Sequence, residues 1–140
     1  EALSVLDVTE YVFGPLLDGK WVEGERPESD FEIAREWAQS LINRLLPTRV
    51  IFPYGIRHPD HLFCARLRPW AVGDFKVGVY EELPYRVMYP RETPRWRGEP
   101  EGPFEKNLKR KRRAVSRYKS QMVTEDFERC CFAPERIWWR

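Results

Sequence analysis

The amino-acid sequence predicts an α+β fold: a small antiparallel sheet covered by one amphipathic helix, then extended Pro/Arg/Trp-rich segments and a basic C-terminal helix. Three observations carry that expectation. Ile33, Ala34, Trp37, Ala38, Leu41, Ile42 and Leu45 recur at helical spacing, while Arg35, Glu36, Gln39, Ser40, Asn43 and Arg44 fill the opposite face. Short β-rich runs follow, each bounded by proline or glycine. Finally, 12 prolines in 140 residues leave few places where regular structure can run on.

Residues 1–89 form the expected core with its N-terminal arm, 90–103 an extended linker, and 104–140 a basic helix with a docking tail. In the arm, apolar Leu3, Val5, Leu6, Val8, Tyr11, Val12 and Phe13 precede a break at Gly14-Pro15 and a turn signal at Asp18-Gly19. The helix is expected over Asp30 to Leu46. Ser29 with Glu32 makes a capping box, Asp30 is an alternative cap, and Pro47 ends the helix. Its apolar face should pack Trp37, Leu41 and Leu45 onto a sheet. Strands are expected at Arg49 to Phe52, Leu62 to Leu67, Phe75 to Tyr80 and Tyr85 to Tyr89. The second and third flank the connection Arg68 to Asp74, and Phe75, Val77 and Val79 alternate as in a half-buried strand. From Phe104 to about Met122 the pattern turns helical again, with a thin apolar stripe of Phe104, Leu108, Val115, Tyr118 and Met122.

Charge is the chief lead toward function. Lys106, Lys109, Arg110, Lys111, Arg112, Arg113, Arg117 and Lys119 lie within fourteen residues that contain no acid. The N-terminal half is net acidic, so the chain has gathered its positive charge in one place. Such a density of like charge calls for an anionic partner, and a nucleic-acid backbone is the commonest. A solvated helix would intersperse glutamates, and a membrane-surface helix would need a broader apolar face. These eight residues are therefore the expected RNA-binding set. Interleaved Arg and aromatic residues around Tyr85, Tyr89 and Trp96, and the pair Trp138-Trp139, are the second lead. Trp96, Trp138 and Trp139 are the expected partner-docking anchors.

Other chemistries find little support. Three cysteines, two of them adjacent (Cys130, Cys131), suit a reducing compartment better than a disulfide framework. His58-Pro59-Asp60-His61 holds both histidines, but Pro59 bars the i, i+4 pairing of zinc hydrolases, and a turn with locally bonded histidines is expected instead. No metal site, cofactor or catalytic residue is expected, and the chain is expected not to be an enzyme. No run of eighteen apolar residues spans a bilayer. A chain beginning at Glu1 fits a removed targeting peptide or an omitted start.

In the whole chain's style, and in Lys106–Lys119, the sequence resembles the organelle-specific proteins of mitochondrial ribosomes. The resemblance implies a structural component of a large ribonucleoprotein in the mitochondrial matrix, with rRNA and neighbouring subunits as partners. The rival is a peripheral structural subunit of a mitochondrial respiratory or ATP-synthase complex, in which the same extended style serves protein contacts.

Overall fold

A computed structural model describes residues 4, 7–8, 10–19, 25–92, 98–102, 107–117 and 129–140. Helix α1 spans Glu28–Leu45 and starts two residues earlier than the capping box implies. Its N-cap is Pro27, in extended conformation with no side-chain cap, so Ser29 lies inside the first turn. Glu28 and Asp30 complement the positive end of the helix, and Arg44 the negative end. Leu46 then turns left-handed (φ 45°), its N–H bonded to Ile42 O, and Pro47 prevents continuation.

The buried face of α1 is set by Phe31 and Ala34. Phe31 packs edge-to-face on Phe63 at 6.0 Å, and Ala38 and Ile42 approach Phe52 and Leu67 around a small gap. Trp37 and Leu41 are half-buried, whereas Leu45 is 59% exposed and takes no part in the packing expected of it.

The remaining elements are β1 (Arg49–Pro53), α2 (Pro59–Leu67), a 3-10 turn at Arg68–Trp70, β2 (Lys76–Tyr80), α3 (Tyr85–Met88), β3 (Glu99–Glu101), α4 (Leu108–Val115) and β4 (Ile137–Trp139). Four strands form one sheet in the order β1-β2-β4-β3. The class is α+β, but the sheet is mixed, not antiparallel throughout. Strands β1 and β2 run parallel, from Arg49↔Lys76 to Pro53↔Tyr80, and β4 is antiparallel to both β2 and β3. Parallel neighbours need a crossover connection, and α2 supplies it.

That is where the expected strand Leu62 to Leu67 fails. His58 Nδ1 accepts the N–H of Asp60, Pro59 takes the first helical position, and Asp60 sits in the first turn, so the segment starts as a helix. The expected strand Tyr85 to Tyr89 is likewise a single helical turn, closed by Tyr89 N–H to Tyr85 O at 2.7 Å. Within 90–103, β3 becomes the sheet's edge strand, the place where Pro100 is tolerated. The basic helix is also shorter than Phe104 to Met122. Phe104, Tyr118 and Met122 lie outside the described residues.

The core centres on Tyr54, Ile56 and Val79, with Tyr85, Tyr89 and Trp138 packed against it.

Candidate functional site

Because β1 and β2 are parallel, their C-terminal ends lie side by side, and the chain leaving each end meets the other. Tyr54 N–H donates to Tyr80 O at 3.2 Å, continuing the ladder past Pro53. Beyond it, Gly55 N–H and Ile56 N–H donate to Glu82 Oε1 and Oε2 at 2.9 and 2.7 Å. Gly55 has φ 88°, and a Cβ there would lie 2.9 Å from Ala65 Cβ, so only glycine fits. Arg57 is also left-handed at φ 59°, an uncommon state for a residue with a side chain. The loop thus curls round a carboxyl group that is 1% exposed. Burying a carboxylate costs several kcal/mol unless hydrogen bonds replace its water, and here two backbone amides do so.

The loop delivers two imidazoles. His58 caps α2, and its Nδ1 accepts from Asp60 N at 3.3 Å, which places the proton of the neutral ring on Nε2. His61 follows one turn later, its Nδ1 3.4 Å from Glu82 Oε1. This is longer than a made hydrogen bond, yet Nδ1 is buried and has no other partner among the described residues. A carboxyl oxygen facing Nδ1 favours the proton there and leaves the Nε2 lone pair free. Burial holds the His61 pKa below its ordinary 6.5, with the His58 charge adding to this and the Glu82 and Asp60 charges opposing it. His61 is therefore neutral at pH 7. The two rings lie 4.8 Å apart, and Tyr85 packs on both, at 5.7 Å from His58 and 5.4 Å from His61. One ring offers a donor and its neighbour an acceptor.

The surrounding residues have other roles. Asp60 takes Gly19 N–H at 3.1 Å and Arg26 at 3.0 Å, which tie the N-terminal arm to α2. Burial works to raise its pKa, but the Arg26 and Gly19 hydrogen bonds and the nearby positive charges hold it below 3.8. Burial pushes the Cys64 thiol up, which disfavours the nucleophilic thiolate. Tyr80 is pushed up to about 12 by burial and the Glu82 charge. Among the described residues no group of three or more His, Cys, Asp or Glu is placed to hold a metal ion. The local bonding expected of the histidines is present in His58. Pro59-Asp60, however, opens a helix and does not form an isolated turn.

The expected RNA-binding residues fall on α4 in part. Lys106 and Lys119 lie outside the described residues, as does Trp96. Arg110 pairs with Asp7, Lys111 Nζ lies 3.0 Å from Glu135 Oε1, and the Arg112 guanidinium stands 5.4 Å over the Phe132 ring. Lys109, Arg112 and Arg113 are exposed, as is Arg117 in the turn that follows the helix.

Trp138 and Trp139 sit in β4, half-buried by the chain itself. Trp138 Nε1 donates to Glu81 at 3.3 Å, and Trp139 Nε1 donates to Glu101 at 2.5 Å beneath the Arg49 guanidinium. Arg86 ties Glu81 (3.0 Å) to Pro134 O (3.2 Å), so the tail is sewn to the sheet edge from inside.

Glu82 and Gly55 were missed by sequence reasoning, and Tyr85 stood out only as part of an Arg–aromatic segment. One signal was present: two histidines three apart at a helix start shortly after a strand, with Pro59 at the first helical position. No family model, curated protein or solved structure matches this chain.

Proposed function

We propose that the chain carries an acid–base site for hydrolysis of an acyl bond, an amide or an ester. His61 Nε2 takes the proton from the attacking water. His58 Nε2–H, on the neighbouring ring, donates a hydrogen bond to the oxygen that gains negative charge, and the proton held by His61 then passes to the departing nitrogen or oxygen. Glu82 orients His61 through Nδ1 and stabilises the imidazolium that forms, and Tyr85 fixes the planes of both rings. The supporting observation is the pairing of a fully buried, doubly anchored Glu82 with a half-exposed imidazole, next to a second imidazole of opposite hydrogen-bonding sense. Carboxylate, imidazole and proton donor in series follow the logic of general acid–base catalysis, worth roughly 10²–10⁴-fold in rate. This reading replaces the expectation that the chain has no catalytic residue.

A carboxylate-backed imidazole is equally the arrangement that presents His to a divalent cation, so the test includes one. The full chain is assayed against chromogenic acyl anilides and esters, with and without Zn²⁺, beside His58→Ala and His61→Ala. Hydrolysis should rise with pH through a value below 6.5, and each variant should lose about 10²-fold or more. Nitrogen NMR of the imidazoles should show the proton on Nδ1 in His61 and on Nε2 in His58. Unchanged hydrolysis in both variants, or the reverse pair of tautomers, would overturn the proposal.

A further inference from the structure

The cations of α4 divide into two sets with different roles. Arg110 and Lys111 are spent inward, on Asp7 and on Glu135 and Ala133 O, while Arg112 lies over the Phe132 ring and stays exposed. Together with buried Ala114 the first two hold the helix to the arm and the tail. Lys109, Arg112 and Arg113 are exposed. Lys109 and Arg113 lie one turn apart, about 6 Å along the helix, with Arg112 beside Arg113, and the three make a cationic row. Arg113 also opens, with Arg112, Arg129, Ser116, Phe132 and Val87, into a groove of about 970 Å³. The groove has no carboxylate among its described lining residues.

We infer that this groove and the cationic row beside it bind the backbone of a single-stranded nucleic acid without reading its sequence. Arginine forks match phosphate oxygens in pairs, and exposed Arg112 and Arg113 border the groove. Row and groove together are too extended for one phosphate group and suit a polymer of them. The Phe132 ring and Val87 give an apolar wall on which a splayed base can lie. A membrane surface fits less well, because the apolar residues of α4 face the body: Ala114 is buried, and Leu108 and Val115 are half-buried. Tyr85 and Val87 are two residues apart on α3, about 200° round its axis. One faces the histidines and the other the groove, so this surface is separate from the acid–base site.

Fluorescence anisotropy of labelled 20-nucleotide strands with the full chain tests the inference. Strands of unrelated sequence should bind alike, and binding should weaken steeply with salt. Lys109→Ala, Arg112→Ala and Arg113→Ala combined should lower the slope of log affinity against log salt by about 2, at roughly 0.7 per phosphate contact. All three side chains are exposed, so circular dichroism should show the fold unchanged. Wild-type affinity and slope in the triple variant would overturn the inference. So would equal binding to polyglutamate or to phosphatidylserine vesicles, since either would make the surface a general anion or lipid site.

Discussion

Glu82→Gln is the sharpest perturbation of the acid–base site, because it keeps the shape and removes one acceptor. In the native structure each carboxyl oxygen takes one backbone N–H, from Gly55 at 2.9 Å and Ile56 at 2.7 Å. Glutamine has one carbonyl oxygen, so its NH₂ must face the other amide. One buried N–H then lacks an acceptor, at about 1–3 kcal/mol, and the surviving bond loses its charge assistance, at about 1 kcal/mol more. The total of about 2–4 kcal/mol is a large part of the 5–15 kcal/mol typical of a domain, yet leaves it folded. With a urea m-value near 2 kcal/mol/M, the midpoint should fall by about 1–2 M at constant m. The same change removes the charge that raises the His61 pKa, so His61 should titrate lower still by NMR. A variant that unfolds at the wild-type urea concentration, with His61 titrating as before, would refute the view that Glu82 anchors the loop and orients the ring.

Other perturbations probe the rest of the frame by urea unfolding. Phe31→Ala should cost about 3–5 kcal/mol, since Phe31 is 3% exposed, while Leu45→Ala should cost under about 1 kcal/mol on its exposed face. Gly55→Ala should cost at least about 1–2 kcal/mol, from its left-handed φ and the 2.9 Å approach to Ala65, and should impair hydrolysis by displacing His58. Stability should also depend on pH in two windows. His61 has a folded pKa below 6.5, so the unfolded chain gains its proton first, and its contribution is complete above about pH 6.5 and declines as pH falls. Asp60, held below 3.8, contributes above that value and loses its contribution as pH falls through the folded pKa. Urea midpoints that stay constant from pH 7.5 to pH 5 would contradict the His61 assignment.

The parts of the fold legible in the sequence were those with long or strict periodicity. The α1 pattern runs through five turns and the alternation of Val77 and Val79 marks β2, so both elements follow from spacing, although Gly78 on the other face of β2 is buried too, under Trp139. Leu62 to Leu67 reads as a strand because a short, mostly apolar run suits a buried strand or a helix equally well. Its start signal was a histidine accepting a backbone N–H, outside the usual Ser, Thr, Asp and Asn set. Tyr85 to Tyr89 looked like a strand because aromatic and β-branched residues between prolines carry strand propensity, yet one turn of helix lets both tyrosines reach the core. Glu82 was invisible for a different reason. Adjacent acids such as Glu81-Glu82 normally face water, and only the folded loop shows that both are buried.

The mixed sheet is what joins these points to function. With α2 as the crossover, Pro53 and Tyr80 end side by side, and the loop starting at Tyr54 and the segment starting at Glu81 share one edge of the sheet. The carboxyl ends of parallel strands are where open sheets usually place their ligand sites, because successive loops converge there without having to form ladder bonds. In this chain a short parallel pair suffices. It brings a buried acid, two imidazoles and a tyrosine into one cluster from two segments more than twenty residues apart. The antiparallel β4 closes the other side of β2, with Trp138 packed on the core and bonded to Glu81, next to the acid that holds the loop. The tail thereby braces the loop from behind and leaves His61 31% exposed.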